Sequence, residues 1–128
     1  MPFRVALPQD LTWKTRPHDA SEPARHVAEL TDVLGATQVR SNLWRYEPGA
    51  RGKRHRHAEQ EETFVVLSGS LTIYIGEPAQ RVDVPVGGAV TVPGGVALQI
   101  ANHGDEDLLV YAYGYPPDHG AVILDPAI

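Results

Sequence analysis

Residues 49–69 read GARGKRHRHAEQEETFVVLSG, and this stretch places two histidines and a carboxylate at spacings that suit one metal ion. His55 and His57 lie two positions apart, so both side chains leave the same face of a β-strand. Four residues separate His57 from Glu62, which is enough for a tight connection that brings the carboxylate of a following strand beside the imidazoles. The stretch therefore predicts a cluster of two imidazoles and one carboxylate.

Glycines frame these three residues at fixed distances. Five residues separate Gly49 from His55, and six residues separate Glu62 from Gly69. The order Gly, five residues, His-x-His, three or four residues, Glu, six residues, Gly is that of the first signature motif of the cupin family, which this stretch resembles. Every fixed position of that motif is filled.

A second stretch resembles the other cupin motif, which reads Gly, five residues, Pro-x-Gly, two residues, His, three residues, Asn. Gly87, Pro93, Gly95 and Asn102 fit this pattern in register. Leu98 stands where the family has its last metal-binding histidine. The resemblance covers roughly residues 40 to 115, and one of the family's metal ligands is missing.

Short β-like runs, bounded by Gly, Pro, Asn or Asp, fill the region of the resemblance. Regularly spaced strands of this kind predict a double-sheet barrel, and the resemblance implies the same all-β fold, a double-stranded β-helix or jelly-roll barrel. We predict the barrel over residues 39–117, with an N-terminal arm and short helix at 1–38 and a C-terminal tail at 118–128. The predicted strands are Val39 to Glu47, Lys53 to His57, Thr63 to Leu67, Ser70 to Ile75, Arg81 to Val84, Ala89 to Val92, Leu98 to Ala101 and Asp107 to Tyr115.

The N-terminal region has a different pattern. Residues 1–20 carry three prolines and little periodicity, which favours an extended arm that adds an edge strand or wraps a neighbouring subunit. Apolar residues from Glu22 to Leu34 have rough helical spacing, with Ser21 as a candidate N-cap and Gly35 as a candidate C-terminal stop. We therefore predict one short helix here.

Composition limits the class of protein. The 128 residues are the size of one domain, and the net charge of −5 argues against a general role on nucleic acid. No apolar segment approaches membrane-spanning length, and the first residues lack a secretory signal, so we expect a cytoplasmic protein without membrane association. Because the chain has no cysteine, any metal must be held by nitrogen and oxygen ligands.

Two histidines and one carboxylate form the ligand set of non-haem iron facial triads. His55, His57 and Glu62 are accordingly the predicted ligands of a divalent transition metal, which is Fe, Mn, Ni, Co or Zn. Three protein ligands leave room for water or substrate. Alternatively, the loss of the ligand at position 98 leaves a metal-free pocket that binds an organic molecule.

Further residues are candidates for the pocket wall. Phe64 lies on the face of Glu62, and together with Leu98 it makes the wall more apolar. Arg54, with Arg51 and Arg56, either forms a positive edge that attracts an anionic substrate or belongs to a solvated loop.

Two sets of aromatic residues alternate along predicted strands, so each set occupies one sheet face. One set is Trp44 and Tyr46, and the other is Tyr111, Tyr113 and Tyr115. Core packing or a subunit interface is one use of such faces. If they face into the barrel, the hydroxyls of Tyr111 and Tyr113 orient a ligand or donate protons. Outside the resemblance, we expect ordinary surface residues at His18, His26 and His119.

These observations predict a small monocupin that acts on a small organic molecule inside the barrel, as a metal-dependent oxygenase, isomerase or lyase. The alternative is a metal-free module that binds or senses a small molecule. Cupins of this size, which the chain resembles, are often dimers, so the resemblance also implies a homodimer.

Overall fold

The computed structural model describes residues 2–16, 21–118 and 120–128. Their elements are short strands, one 3-10 turn at Pro8–Asp10 and one α-helix, α1, at Thr31–Leu34. The strands are β1 (Trp13–Thr15), β2 (Arg25–Glu29), β3 (Arg40–Tyr46), β4 (His55–Arg56), β5 (Glu61–Ser68), β6 (Leu71–Ile75), β7 (Gln80–Val84), β8 (Ala89–Val92), β9 (Leu98–Ala101), β10 (Leu108–Tyr115) and β11 (Val122–Ile123).

The strands form two antiparallel sheets. The larger has the order β1-β2-β3-β10-β5-β8, and the smaller has the order β11-β4-β9-β6-β7. One apolar cluster joins both sheets, with Phe64 and Val110 from the larger and Ile73 and Leu98 from the smaller. Fully burying each such side chain stabilises the fold by about 1.5–3 kcal/mol. The predicted all-β jelly-roll architecture is confirmed.

All eight predicted strands are present, most with ends within one or two residues of those predicted. These strands could be predicted because apolar and polar residues alternate along them. Along β10, for example, Leu108, Val110 and Ala112 are buried, whereas Leu109 and Tyr111 are less so. Turn residues at the strand ends gave the boundaries.

The predicted helix from Glu22 to Leu34 is wrong over most of its length. Residues Arg25–Glu29 form β2, which pairs antiparallel with β3, and the helix is a single turn at Thr31–Leu34. Val27 and Ala28 are consecutive residues on opposite faces of β2, and both are buried, so this strand, which lies between β1 and β3, is covered on both faces. Tertiary pairing has overridden a weak helical periodicity. Gly35 does end the helix, in the left-handed conformation at φ 64°.

Both ends of the chain contribute strands to the sheets. β1 forms the outer edge of the larger sheet beside β2, so the N-terminal arm adds an edge strand, which is one of the two arrangements predicted for it. In the segment predicted as a C-terminal tail, β11 pairs with β4. Ser21 lies ten residues before the helix and does not cap it, and His18 and His119 fall outside the described residues. No helix in the described ranges is long and apolar enough to cross a membrane.

Candidate metal centre

His55, His57 and Glu62 come together as the sequence predicts. Each offers one ligand atom, and these three atoms lie within 4.8 Å of one another. The histidines belong to the β4 region of the smaller sheet, whereas Glu62 belongs to β5 of the larger sheet. Only a short connection separates them in sequence, so the chain crosses from one sheet to the other and the cluster lies where the two sheets meet.

The geometry of the cluster suits a single small cation. His57 Nε2 lies 3.6 Å from Glu62 Oε1, and the two imidazole rings are nearly perpendicular with centroids 5.1 Å apart. Glu62 Oε1 is buried and has no hydrogen-bond partner within the described part of the chain. A buried carboxylate oxygen without a partner is costly, and a bound cation would satisfy it. The donor set of two nitrogens and one oxygen therefore fits a divalent transition metal.

Hydrogen bonding prepares His55 to act as a ligand. The Lys53 carbonyl oxygen lies 2.9 Å from His55 Nδ1 and accepts a hydrogen bond from it, which leaves Nε2 free for a metal. Burial lowers the pKa of His55, although the Lys53 carbonyl and the Glu62 charge oppose this effect. The neutral imidazole that burial favours is the form that binds metal.

Leu98 lies beside this cluster at the position where the fourth cupin ligand is expected. It pairs directly with His55 across β4 and β9, and only 1% of it is exposed. Its neighbour Gln99 is not a substitute ligand, because its amide donates to the Gly52 carbonyl and accepts from the Ala127 N–H. The cluster consequently keeps three protein ligands and leaves further coordination positions open.

A cavity of about 220 Å³ opens onto the cluster. Phe64 and Leu98 line it, as the sequence predicts, and Ile100 adds to this apolar wall. On the C-terminal side the wall is formed by Ala121 and Ile123. The segment that the sequence presents as a tail therefore closes part of the pocket.

Alternating residues of β3 form a more polar wall. Arg40, Asn42, Trp44 and Tyr46 point the same way along the strand, and all four line the cavity. Burial raises the pKa of Tyr46, although the charge and hydrogen bond of Arg25 oppose this effect. The Tyr46 phenol is therefore a neutral hydrogen-bond donor at neutral pH.

Tyr111 and Tyr113, which the sequence offered as pocket residues, do not line the cavity. They lie on the outer face of β10, where their rings stack with centroids 5.5 Å apart, while Val110 and Ala112 point into the core. The register decides this, since Tyr111 pairs with Leu43 of β3 and shares its face rather than that of Trp44.

Arg54 is also absent from the cavity wall. Its guanidinium turns away to Glu77, with Nη2 to Oε2 at 2.6 Å, and it also donates to the backbone carbonyls of Gly76 and Asp125. Arg51 is similarly engaged with Glu22 at 2.7 Å. Neither side chain forms the predicted positive edge of the pocket, because local carboxylates and carbonyls hold both.

The cationic groups at the cavity are instead Arg25 and Arg40, with Lys53 beside the histidines. Neither arginine was predicted from the sequence as a pocket residue. Arg40 shares a strand face with Trp44 and Tyr46, so the alternation of β3 carried a signal for it. Arg25 carried no such signal, because its segment was predicted as a helix.

Comparison with known proteins gives the same picture. Residues 42–113 match the family described as Cupin domain. Auxin-binding protein 1 of Arabidopsis thaliana is 36% identical over 93 residues, which are 66% of this chain and 46% of that protein, so the chain spans about half the length of this curated relative.

Two solved structures share the architecture. A putative sugar phosphate isomerase from Acidithiobacillus ferrooxidans aligns with a TM-score of 0.74 at 25% identity, over 89% of this chain and 76% of that chain. A predicted oxalate decarboxylase from Thermotoga maritima aligns with a TM-score of 0.75 at 17% identity, over 88% of this chain and 99% of that chain, which is a likeness of fold alone. With both signature motifs on one double-sheet barrel and a domain match over residues 42–113, the chain belongs to the cupin family.

Proposed function

We propose that this cupin is a metal-dependent enzyme that isomerises a small hydroxy-carbonyl compound. The observation that carries the proposal is the cluster of His55, His57 and Glu62, whose three ligand atoms lie within 4.8 Å and face a cavity. The similarity at 25% identity to a putative sugar phosphate isomerase supports the reaction class.

Different residues of the pocket would bind the metal, donate a hydrogen bond to the substrate and exclude water. His55, His57 and Glu62 would hold the ion, and a divalent ion there supplies a Lewis acid that polarises a carbonyl or hydroxyl oxygen. Tyr46 offers a neutral phenol as donor. Phe64 and the other apolar residues of the wall limit water at the reacting atoms.

Elemental analysis of protein prepared without a metal-binding tag tests the metal site. We expect about one equivalent of a transition metal in the wild type, lost in His55→Ala and Glu62→Ala because each removes a direct ligand. Glu61→Ala is the matched control, since its carboxylate is adjacent in sequence but exposed on the other face of β5. Metal binding that survives loss of Glu62, or is absent after reconstitution, would contradict the site.

Activity is tested separately. Metal-loaded protein is incubated in D2O with small aldoses, ketoses and their phosphates, and solvent exchange and isomer formation are followed by proton NMR. We expect turnover in the wild type and in Glu61→Ala, but not in Glu62→Ala. Metal-loaded wild type without turnover on any compound of this class would contradict the isomerase assignment while leaving the metal site intact.

A metal-free binding module is the second candidate, and Leu98 is the observation that favours it. An apolar, fully buried side chain at the fourth ligand position makes the pocket less polar. The similarity to a protein named for auxin binding supports small-molecule binding as a function in its own right. Ligand binding that is unchanged after removal of metal would favour this candidate.

We also propose a homodimer and a cytoplasmic location. The exposed edge strand β1, with Trp13 on its surface, supports pairing of two copies along the larger sheet. The chain has no cysteine, so its folding needs no oxidising compartment for disulfide formation. Light scattering of the purified chain and fractionation of the source cells test the two statements, and a monomer at micromolar concentration would contradict the first.

A further inference from the structure

Arg25 is held rigidly at the cavity wall. It is the first residue of β2 and lies directly opposite Tyr46 of β3. Its guanidinium carbon lies 5.4 Å from the centroid of the Trp44 ring, and its Nε donates to the Arg16 carbonyl oxygen at 3.1 Å. Stacking and this bond fix the plane of the guanidinium, which also hydrogen-bonds the Tyr46 hydroxyl and keeps further N–H donors for another partner.

No carboxylate in the described ranges pairs with Arg25 within 4.0 Å. Other arginines of the chain differ in this respect. Arg45, Arg51 and Arg54 each have a carboxylate oxygen between 2.6 and 3.2 Å from a guanidinium nitrogen. Arg25 is therefore a cation at a cavity wall whose charge is not neutralised by a direct ion pair, and an anion entering the cavity would supply one.

Arg25 lies close to the metal cluster, beside Tyr46 and near His55. Its charge acts on both Tyr46 and His55. Gly52 keeps the space beside it open, since a Cβ there would lie 2.7 Å from the Tyr46 hydroxyl oxygen and 3.7 Å from Arg25 Nη1. A guanidinium and a phenol thus share one corner of the cavity, next to His55.

We propose that Arg25 and Tyr46 form an oxyanion-binding subsite beside the metal cluster. Its ligand is the phosphate or carboxylate group of a small organic molecule whose other oxygens reach His55, His57 and Glu62. The cavity of about 220 Å³ suits a small metabolite. This inference rests on the proposed function for its substrate, but the subsite itself binds an oxyanion without metal.

Binding of simple anions to the metal-free protein tests the subsite. Inorganic phosphate and acetate are titrated separately while the indole N–H signals of the two tryptophans are followed by NMR, with Trp13→Phe for assignment. We expect one or both anions to shift the Trp44 signal and leave that of Trp13 unchanged. A response to phosphate alone identifies a phosphorylated ligand, and a response to acetate alone identifies a carboxylate.

Arg25→Gln should weaken this binding by about tenfold or more, because a charge-assisted hydrogen bond is lost. Arg25→Lys should also weaken it, since an ammonium lacks the planar fork. Arg45→Gln is the matched control: Arg45 stacks over Trp13 at 5.7 Å and pairs with Asp107, but it lies on the outer face of the same sheet. A folded Arg25→Lys protein with wild-type anion affinity would overturn the proposal, as would a wild type that binds neither anion at Trp44.

Metal content separates this proposal from the proposed function. Arg25→Gln and Arg25→Lys should retain the metal of the wild type, because Arg25 is not a ligand. Glu62→Gln should lose the metal and keep the Trp44 response to anions. Loss of that response in Glu62→Gln would overturn the metal-independent subsite, whereas absence of metal from every protein with the response intact would overturn the metal site alone.

Discussion

Asp118 Oδ2 lies 3.6 Å from His57 Nδ1, while Nε2 of the same imidazole lies 3.6 Å from Glu62 Oε1. The His57 ring is thus placed between two carboxylates. Asp118 is itself anchored through its backbone, since its N–H donates to Gln60 Oε1 and its carbonyl accepts from Arg40 Nη1. At 3.6 Å the two atoms are too far apart for a hydrogen bond, so Asp118 acts on His57 through its charge, which increases the basicity of the imidazole as a metal ligand.

Asp118→Asn should therefore lower metal affinity by roughly 10–100-fold. The amide keeps the size of the side chain and both backbone bonds but loses the charge behind His57. Competition with a chromophoric chelator measures the affinity, and Asp125→Asn in the same C-terminal segment is the control. Equal metal affinity of Asp118→Asn and Asp125→Asn would show that the carboxylate does not act on the ligand.

Leu98→His should restore a four-ligand site, because position 98 lies directly opposite His55. Mutation of a residue that only hydrogen-bonds a metal ligand changes metal affinity by roughly 10–100-fold. A direct fourth ligand should therefore raise metal affinity by at least about tenfold. Without metal, the buried imidazole should cost about 1–3 kcal/mol of stability. Chelator competition and thermal unfolding with and without metal measure both effects. Leu98→Ala, which adds no ligand, should not gain affinity.

Gly69→Ala should destabilise the fold more than Gly87→Ala. Both glycines have positive φ, 78° and 87°, so each substitution costs about 1–2 kcal/mol from backbone strain. A Cβ at Gly69 would also lie 2.5 Å from the Asp107 carbonyl oxygen, whereas one at Gly87 meets nothing within 4 Å. Urea unfolding of the two variants compares them directly. Similar losses would mean that the backbone at Asp107 moves aside freely.

Deletion of residues 127–128 should destabilise the fold, because it removes the hydrogen-bond donor of the buried Gln99 side chain. Gln99 is fully buried, and the Ala127 N–H donates to its Oε1 at 2.8 Å. Leaving that acceptor unsatisfied should cost about 1–3 kcal/mol in the free energy of unfolding. Gln99→Leu in the shortened chain is the control, since it removes the unsatisfied group. If the deletion alone costs nothing, water replaces the lost donor.

Asp83 should give a small pH-dependent contribution to stability. A hydrogen bond from Thr72 at 2.7 Å, helped by Arg81, lowers the pKa of the Asp83 carboxyl. When the pKa of a carboxyl is lower in the folded state than in the unfolded state, the carboxyl stabilises the fold at pH values above its unfolded-state pKa. This stabilisation is lost as the pH falls through the folded-state pKa. Thr72→Val should move the Asp83 titration, followed by carboxyl NMR, toward higher pH. The stability effect stays small because the carboxylate is exposed. An unchanged titration would contradict the role of Thr72.

Much of the site could be predicted from the sequence because its ligands are close in the chain. His55, His57 and Glu62 fall within eight residues, and period-2 alternation fixes which of them share a face. The same rule separated Glu62 from Glu61. Phe64 and Leu98 followed from the same alternation and from the second motif.

The errors arose where distant segments meet. The strand at Arg25–Glu29 was predicted as a helix because its apolar spacing is ambiguous, and its pairing with β3 decided the outcome. The positions of Tyr111 and Tyr113 on the outer face of the sheet depend on the register between β10 and β3. Arg54 is withdrawn from the pocket by Glu77, a residue 23 positions later.

The sequence by itself determined the eight strands from β3 to β10, their turns and the three clustered ligands, because these depend on local alternation, on glycine and proline, and on short spacing. Only the tertiary structure decided what surrounds the cluster. Arg25, Arg40 and Asp118 reach it from three separate segments, and Ile123 closes the wall through β11. Pairing and register between strands far apart in the chain set these positions, and such long-range contacts leave no periodic signal in any one segment.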